Sequence, residues 1–103
     1  MIHITDFNTA VLHLNQKKLI LVKFYSGHVD NCGDLDITLE SLEYDYPRVL
    51  MFAIDVDKDL SLIDRYTGND LPMAVVFKNG APSGSISGNA TRDDLRALLE
   101  DVA

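Results

Sequence analysis

The sequence predicts an α/β domain with the element order βαβαβαββα and a central mixed sheet flanked by helices on both faces. Two nearly continuous apolar runs, at 19–25 and 49–54, are typical of strands that are covered on both sides. Apolar residues at spacings of three and four follow these runs and predict helices. Asn79-Gly80 lies between two strand patterns and predicts a hairpin, because both residues tolerate positive φ. Parallel units that end in an antiparallel hairpin produce a mixed sheet.

The first half of the chain contains two strand–helix units. Ile2-His3-Ile4 predicts a short strand, and Thr5 or Asp6 can cap a helix with apolar residues over 7–14. The strand at 19–25 leads through a polar loop into a second helix, which Pro47 ends. The apolar face of this second helix is formed by Cys32, Leu35, Leu39, Leu42 and Tyr46.

The second half continues the alternation and closes the sheet. After the strand at 49–54, Asp57 or Asp59 can cap a shorter helix that extends to Tyr66. Pro72 opens a strand over 73–77, and the returning segment 83–88 is polar and glycine-rich, as suits an edge strand. Thr91 caps a last helix whose apolar face is formed by Leu95, Leu98, Leu99 and Val102.

Length, charge and cysteine content limit the functional classes. At 103 residues the chain is predicted to form one domain over 1–103. It has no apolar run of the ~18–20 residues that a membrane span needs, and no pattern of a secretory signal. A formal net charge of −7 argues against nucleic acid and membrane as partners. A single cysteine favours a reducing compartment, so we expect a cytoplasmic protein.

Several short segments, in order, resemble the thioredoxin family over essentially the whole chain. Ile54-Asp55-Val56-Asp57 is similar to the family's V-D-V-D, Leu71-Pro72 to its I-P, and Phe77-Lys78-Asn79-Gly80 to its F-K-N-G. Gly88 matches a late glycine, and the strand and loop before Cys32 resemble those that lead into the family's W-C-G-P-C-K. The resemblance implies a thioredoxin-like fold, a cis peptide bond before Pro72, and no cofactor.

The resemblance also locates the redox site and shows where this chain departs from it. The attacking cysteine of the family falls on Val29, and the resolving cysteine falls on Cys32. Valine has no proton to lose and cannot attack a disulfide, so we expect no catalytic residue. Cys32 is interpreted either as a small buried hydrophobe or as a single reactive thiol. If the chain is an enzyme, it is a thiol–disulfide oxidoreductase that works through Cys32.

Two further departures involve charged or titratable side chains. Lys23 occupies the position where the family carries a buried aspartate, and Ala53 stands where it tends to carry a lysine. A lysine in an apolar strand must extend to the surface, pair with a carboxylate or lose its proton; Asp55 is a candidate partner. His28 replaces the family's tryptophan, and next to Asp30 it is too weak a signal to predict a metal site.

The resemblance leaves a peptide-binding groove as the remaining functional surface. The sequence therefore predicts a non-catalytic, polypeptide-binding or chaperone-like protein whose partner is a protein or an extended, basic peptide. The alternatives are a monothiol redox protein, a purely structural subunit, and a groove that is a relic without a ligand. The residues expected to line or ring the groove are Tyr25, His28, Val29, Asp30, Asp34, Val56, Asp70, Leu71, Pro72, Ser87 and Gly88.

Overall fold

The sheet contains five strands in the order β1-β3-β2-β4-β5. The computed structural model of the protein describes residues 2–4, 19–27, 32–58, 71–88 and 90–102, with the backbone alone for 2–4 and 32–34. β1 and β2 are parallel to β3, β4 is antiparallel to β2, and β5 is antiparallel to β4. The predicted mixed sheet is therefore confirmed. The strands are β1 (Ile2–Ile4), β2 (Leu19–Tyr25), β3 (Leu50–Asp55), β4 (Met73–Lys78) and β5 (Ala81–Ser87).

Two long helices lie on one face of this sheet. They are α1 (Cys32–Asp45) and α2 (Arg92–Val102), and a short 3-10 helix (Val56–Lys58) follows β3 directly. The predicted helices over 7–14 and up to Tyr66 lie outside the described residues, apart from this 3-10 turn. Neither of the two long helices in the described part of the chain is long and apolar enough to cross a membrane.

The core is divided by the sheet into two layers. On the face covered by α1 and α2, strand residues such as Leu21 and Val76 pack with Leu39 and Leu99 of the helices. On the opposite face, alternate residues of the same strands are buried as well. Side chains that alternate along β2, such as Leu21 and Val22, therefore enter different layers, as the period of a strand requires.

Short-range interactions define the turn between β4 and β5 and the start of α2. Asn79 and Gly80 have φ values of 53° and 85°, which confirms the predicted hairpin turn between β4 and β5. The Asp94 amide donates to Thr91 Oγ1 over 3.1 Å, and the Thr91 amide donates to Asp94 Oδ2 over 3.2 Å. This reciprocal pair is a capping box, so the predicted start of the last helix is also confirmed.

Candidate functional site

The ends of four strands bring much of the predicted groove to one edge of the sheet. Tyr25 at the end of β2 is in register with Asp55 at the end of β3. The start of β4 adjoins the same region, because Phe24 is in register with Met73, and Met73 is in register with Ser87 of β5. This register gathers six predicted residues at the edge: Tyr25, Val56, Leu71, Pro72, Ser87 and Gly88.

Two segments of the predicted site, 28–31 and 59–70, are outside the described part of the chain. His28, Val29 and Asp30 fall in the first and Asp70 in the second, so their roles stay predictions. Cys32 is the first residue of α1, but its thiol is not among the described side chains. Within the described residues, no group of three or more His, Cys, Asp or Glu side chains could hold a metal ion.

The segment before β4 offers backbone groups at this edge. The Leu71–Pro72 peptide bond is cis, as the resemblance implied. The Gly88 amide donates a 2.7 Å hydrogen bond to the Pro72 carbonyl, and this bond connects the end of β5 to the segment before β4. Within the described part of the chain, the N–H and C=O groups of Leu71 have no hydrogen-bond partner. Gly88 has a φ of 79°, and the space that a side chain there would enter is open.

Val56 does not contribute to the surface of the groove. Its side chain is 0% exposed and belongs to the core layer that contains Phe24 and Ile54. The sequence placed it at the correct edge, but the 3-10 turn points it inward. Its side chain therefore does not line the groove surface, contrary to the expectation from the sequence.

A contact that the sequence did not predict fixes the entrance to the loop. The Ser26 hydroxyl lies 2.9 Å from both carboxylate oxygens of Asp57, and the Gly27 amide donates to Asp57 Oδ2 over 3.2 Å. The Asp57 amide in turn donates to Asp55 Oδ1 over 2.9 Å. These charge-assisted bonds attach the start of the loop to the end of β3. This contact could have been inferred from the sequence, because Ser26 and Asp57 follow the ends of two strands that are adjacent and parallel.

Lys23 is buried and paired with a carboxylate, but the partner is not Asp55. Its side chain is 2% exposed, and its Nζ lies 2.7 Å from Oδ1 of Asp36 on α1. The candidate partner Asp55 was wrong, because Lys23 projects towards α1. Its neighbours in register, Ala53 and Ala74, are small and fully buried, which leaves room for the lysine chain to extend towards the helix.

Tyr25 lies next to this ion pair. Lys23 Nζ is 4.8 Å from the centroid of the Tyr25 ring, within the range of a cation–π interaction. Burial raises the pKa of the Tyr25 phenol above its ordinary value, and the negative charges of Asp55 and Asp36 raise it further. The phenol therefore stays protonated at neutral pH and can donate a hydrogen bond at this edge.

The ion pair also lies close to the position of the single cysteine. Asp36 follows Cys32 by four residues on α1, and such residues are neighbours on one helix face with ~5–6 Å between Cβ atoms. Within the described residues, the Lys23 ammonium is thus held one helical turn along α1 from this position by the carboxylate of Asp36, which neutralises it. The resemblance implies a buried aspartate at the position of Lys23, where it would accept a proton from the resolving thiol.

The sequence model of the thioredoxin family matches residues 1–101. The chain belongs to the thioredoxin family. It is 32% identical to thioredoxin-1 of Drosophila yakuba over 85 residues, which cover 82% of this chain and 78% of that protein. A thioredoxin of Staphylococcus aureus is 27% identical over 96 residues, covering 92% of this chain and 88% of that protein.

Solved structures of the family share the fold over the full chain. Plasmodium falciparum thioredoxin matches with a TM-score of 0.86 at 20% identity, with 100% of both chains covered. The germline-specific thioredoxin Deadhead of Drosophila melanogaster matches with a TM-score of 0.83 at 24% identity, again with 100% of both chains covered. The predicted thioredoxin-like fold and the family resemblance are therefore confirmed.

Proposed function

We propose that this thioredoxin-family protein binds extended polypeptide segments without exchanging disulfides, as a chaperone-like or peptide-binding module. The observation that carries the proposal is the buried Lys23–Asp36 pair beside the position of Cys32. Disulfide reduction by a dithiol site begins with an attacking thiolate, and a group that accepts the proton of the resolving thiol accelerates the second step. The chain has one cysteine, and at the position of the expected acceptor it has a lysine that is already paired.

The backbone at the sheet edge supports peptide binding. An extended segment can add to exposed backbone groups as an extra strand, in which main-chain hydrogen bonds give affinity. Leu71 offers an N–H and a C=O group with no partner in the described part of the chain, and the open space at Gly88 lets a second backbone approach. Tyr25 can add a hydrogen bond from its protonated phenol.

Charge favours a basic peptide in this groove. Asp30 and Asp70 are expected from the sequence to flank the groove, and the chain carries a net charge of −7. Attraction between these carboxylates and Lys or Arg side chains is screened over ~10 Å at 0.1 M salt. Binding is therefore expected to be weak, in the micromolar range, and to weaken as the ionic strength rises.

Fluorescence anisotropy with labelled peptides that differ only in Lys/Arg or Asp/Glu content tests this proposal. We expect basic peptides to bind and the double substitution Asp30→Asn/Asp70→Asn to weaken binding by about three- to tenfold. The matched control is Asp93→Asn/Asp101→Asn, which changes two exposed acids of α2. Each double variant loses two carboxylates, so both raise the formal charge from −7 to −5. Equal weakening by both variants, or binding that ignores peptide charge, would contradict the proposed groove.

A monothiol redox function is the second candidate, and the Lys23 ammonium favours it. A cation near a cysteine lowers the pKa of its thiol and increases its reactivity. Here the Lys23 ammonium contacts Asp36, which lies one helical turn after Cys32, and the Asp36 carboxylate offsets its charge.

Alkylation of Cys32 by iodoacetamide separates the two functions. For the non-catalytic protein we expect slow labelling of the folded chain, fast labelling in urea, and no change in the native rate with Lys23→Met. Fast labelling of the folded chain and a Cys32 thiol pKa well below ~8.5 would support the monothiol enzyme. In that case Lys23→Met should raise the thiol pKa. Tyr44→Phe, an exposed substitution on the same helix, serves as the control.

A further inference from the structure

The outer face of α1 carries two large apolar side chains that the fold leaves exposed. Ile37 is 72% exposed and Tyr44 is 91% exposed, and no other large hydrophobic residue in the described ranges is so exposed. They are seven residues apart, which places them on one side of the helix about 10 Å from each other along its axis. By contrast, the large apolar residues of α2 are buried or half-buried against the sheet. α1 is thus apolar on its inner face and again at two points on its outer face.

Negative charge surrounds these two side chains. Glu40, Glu43 and Tyr44 line an open depression of about 400 Å³. Every charged residue of α1 is acidic. Asp36 is neutralised by Lys23, and Asp45 is neutralised by Arg92 and Arg96. The exposed Glu40 makes no ion pair within the described part of the chain. Glu40 lies three residues after Ile37 and four before Tyr44, so its carboxylate is placed between the two apolar contacts.

We propose that this outer face, formed by Ile37, Glu40 and Tyr44, binds a basic amphipathic helix of a partner protein. Helices dock by apolar side chains repeated at i, i+3, i+4 and i+7, and two such side chains seven residues apart match the spacing of Ile37 and Tyr44. Lys or Arg side chains between them would face Glu40. This surface is distinct from the peptide groove, which lies at the end of the sheet, and the inference does not depend on the proposed function.

Charge complementarity selects this partner over the other occupants. In a symmetric contact between two copies of the chain, each outer face would meet itself, and Glu40 and Glu43 would approach their own equivalents. Two chains of charge −7 also repel each other at long range. An anionic membrane surface is disfavoured for the same reason.

Titration of the ¹⁵N-labelled protein with a synthetic helical peptide tests the inference. The peptide exceeds the ~15 residues below which isolated helices are marginal, and it carries leucines seven residues apart with lysines between them. We expect amide shifts centred on Ile37, Glu40 and Tyr44, and at least about tenfold weaker binding for Tyr44→Ala, since truncated aromatic contacts dominate interfaces. Glu40→Gln is expected to weaken binding by about two- to fivefold, and the control Asp101→Asn, an exposed acid of α2, to have no effect.

The same titration can overturn the inference. A peptide with glutamate in place of lysine should not bind, so equal binding of both peptides would contradict the role of Glu40. Shifts confined to the Leu71–Gly88 edge would show that the peptide enters the groove instead. Absence of any shift, or concentration-dependent dimerisation of the protein that Tyr44→Ala abolishes, would also reject a basic helical partner. Circular dichroism of each variant checks that the fold is retained.

Discussion

Wild-type protein is expected to give no reduction of insulin disulfides by dithiothreitol above the uncatalysed rate. The attacking position of the family is held by Val29, which cannot form a thiolate, and the chain has a single cysteine. Val29→Cys introduces a thiol near the start of α1, where the helix dipole lowers a thiol pKa. We therefore expect this variant to reduce insulin measurably, with Val29→Ser as the control that adds no second thiol.

The activity gained by Val29→Cys should remain partial because of Lys23. Exchanging the buried pair, with Lys23→Asp/Asp36→Lys, restores a carboxylate on the strand and keeps two opposite charges together. A positioned proton acceptor contributes about 10²–10⁴-fold in favourable cases, so an increase of at least tenfold over Val29→Cys is expected. Turnover by the wild-type protein that Cys32→Ser abolishes would refute the non-catalytic function. No gain from the exchanged pair would show that Lys23 does not limit the chemistry.

Asp36→Ala is expected to lower the free energy of unfolding by about 3 kcal/mol. The substitution leaves the Lys23 ammonium, which is 2% exposed, without its carboxylate in the core. Breaking a buried ion pair from one side costs about 3–5 kcal/mol, and the lower end applies because Asp36 is 27% exposed. Urea denaturation followed by circular dichroism measures the change.

Two matched variants separate the ion pair from other effects of the substitution. Glu40→Ala changes an exposed acid of the same helix and should stay within about 0.5 kcal/mol of the wild type. Lys23→Met removes the charge but keeps a long apolar side chain, and it leaves a carboxylate that water can reach. It should therefore cost less than Asp36→Ala, and the double variant Lys23→Met/Asp36→Ala should be more stable than Asp36→Ala alone. If Asp36→Ala matched Glu40→Ala, the pair would have no structural role.

The sequence by itself determined the strands, the turns and the helix ends. β2 was predicted with its observed bounds, because a run of apolar residues between polar turns has few other conformations in a folded domain. Asn79-Gly80 and the Thr91 cap were predicted because the backbone conformation there depends on residues within one turn. The mixed sheet followed from the order of these elements, and the family followed from short motifs such as Phe77-Lys78-Asn79-Gly80.

The environment of each site residue was decided by the tertiary structure alone. Asp36, not Asp55, neutralises Lys23, because β2 directs Lys23 to the face that α1 covers and the alanines in register leave space beside it. Ser26 and Asp57 are 31 residues apart and meet because their parallel strands are adjacent. Val56 lies in the core because the 3-10 turn after β3 directs its side chain inward. Partners far apart in sequence depend on which elements pack together and on the direction each side chain takes, and no local pattern in the sequence contains this information.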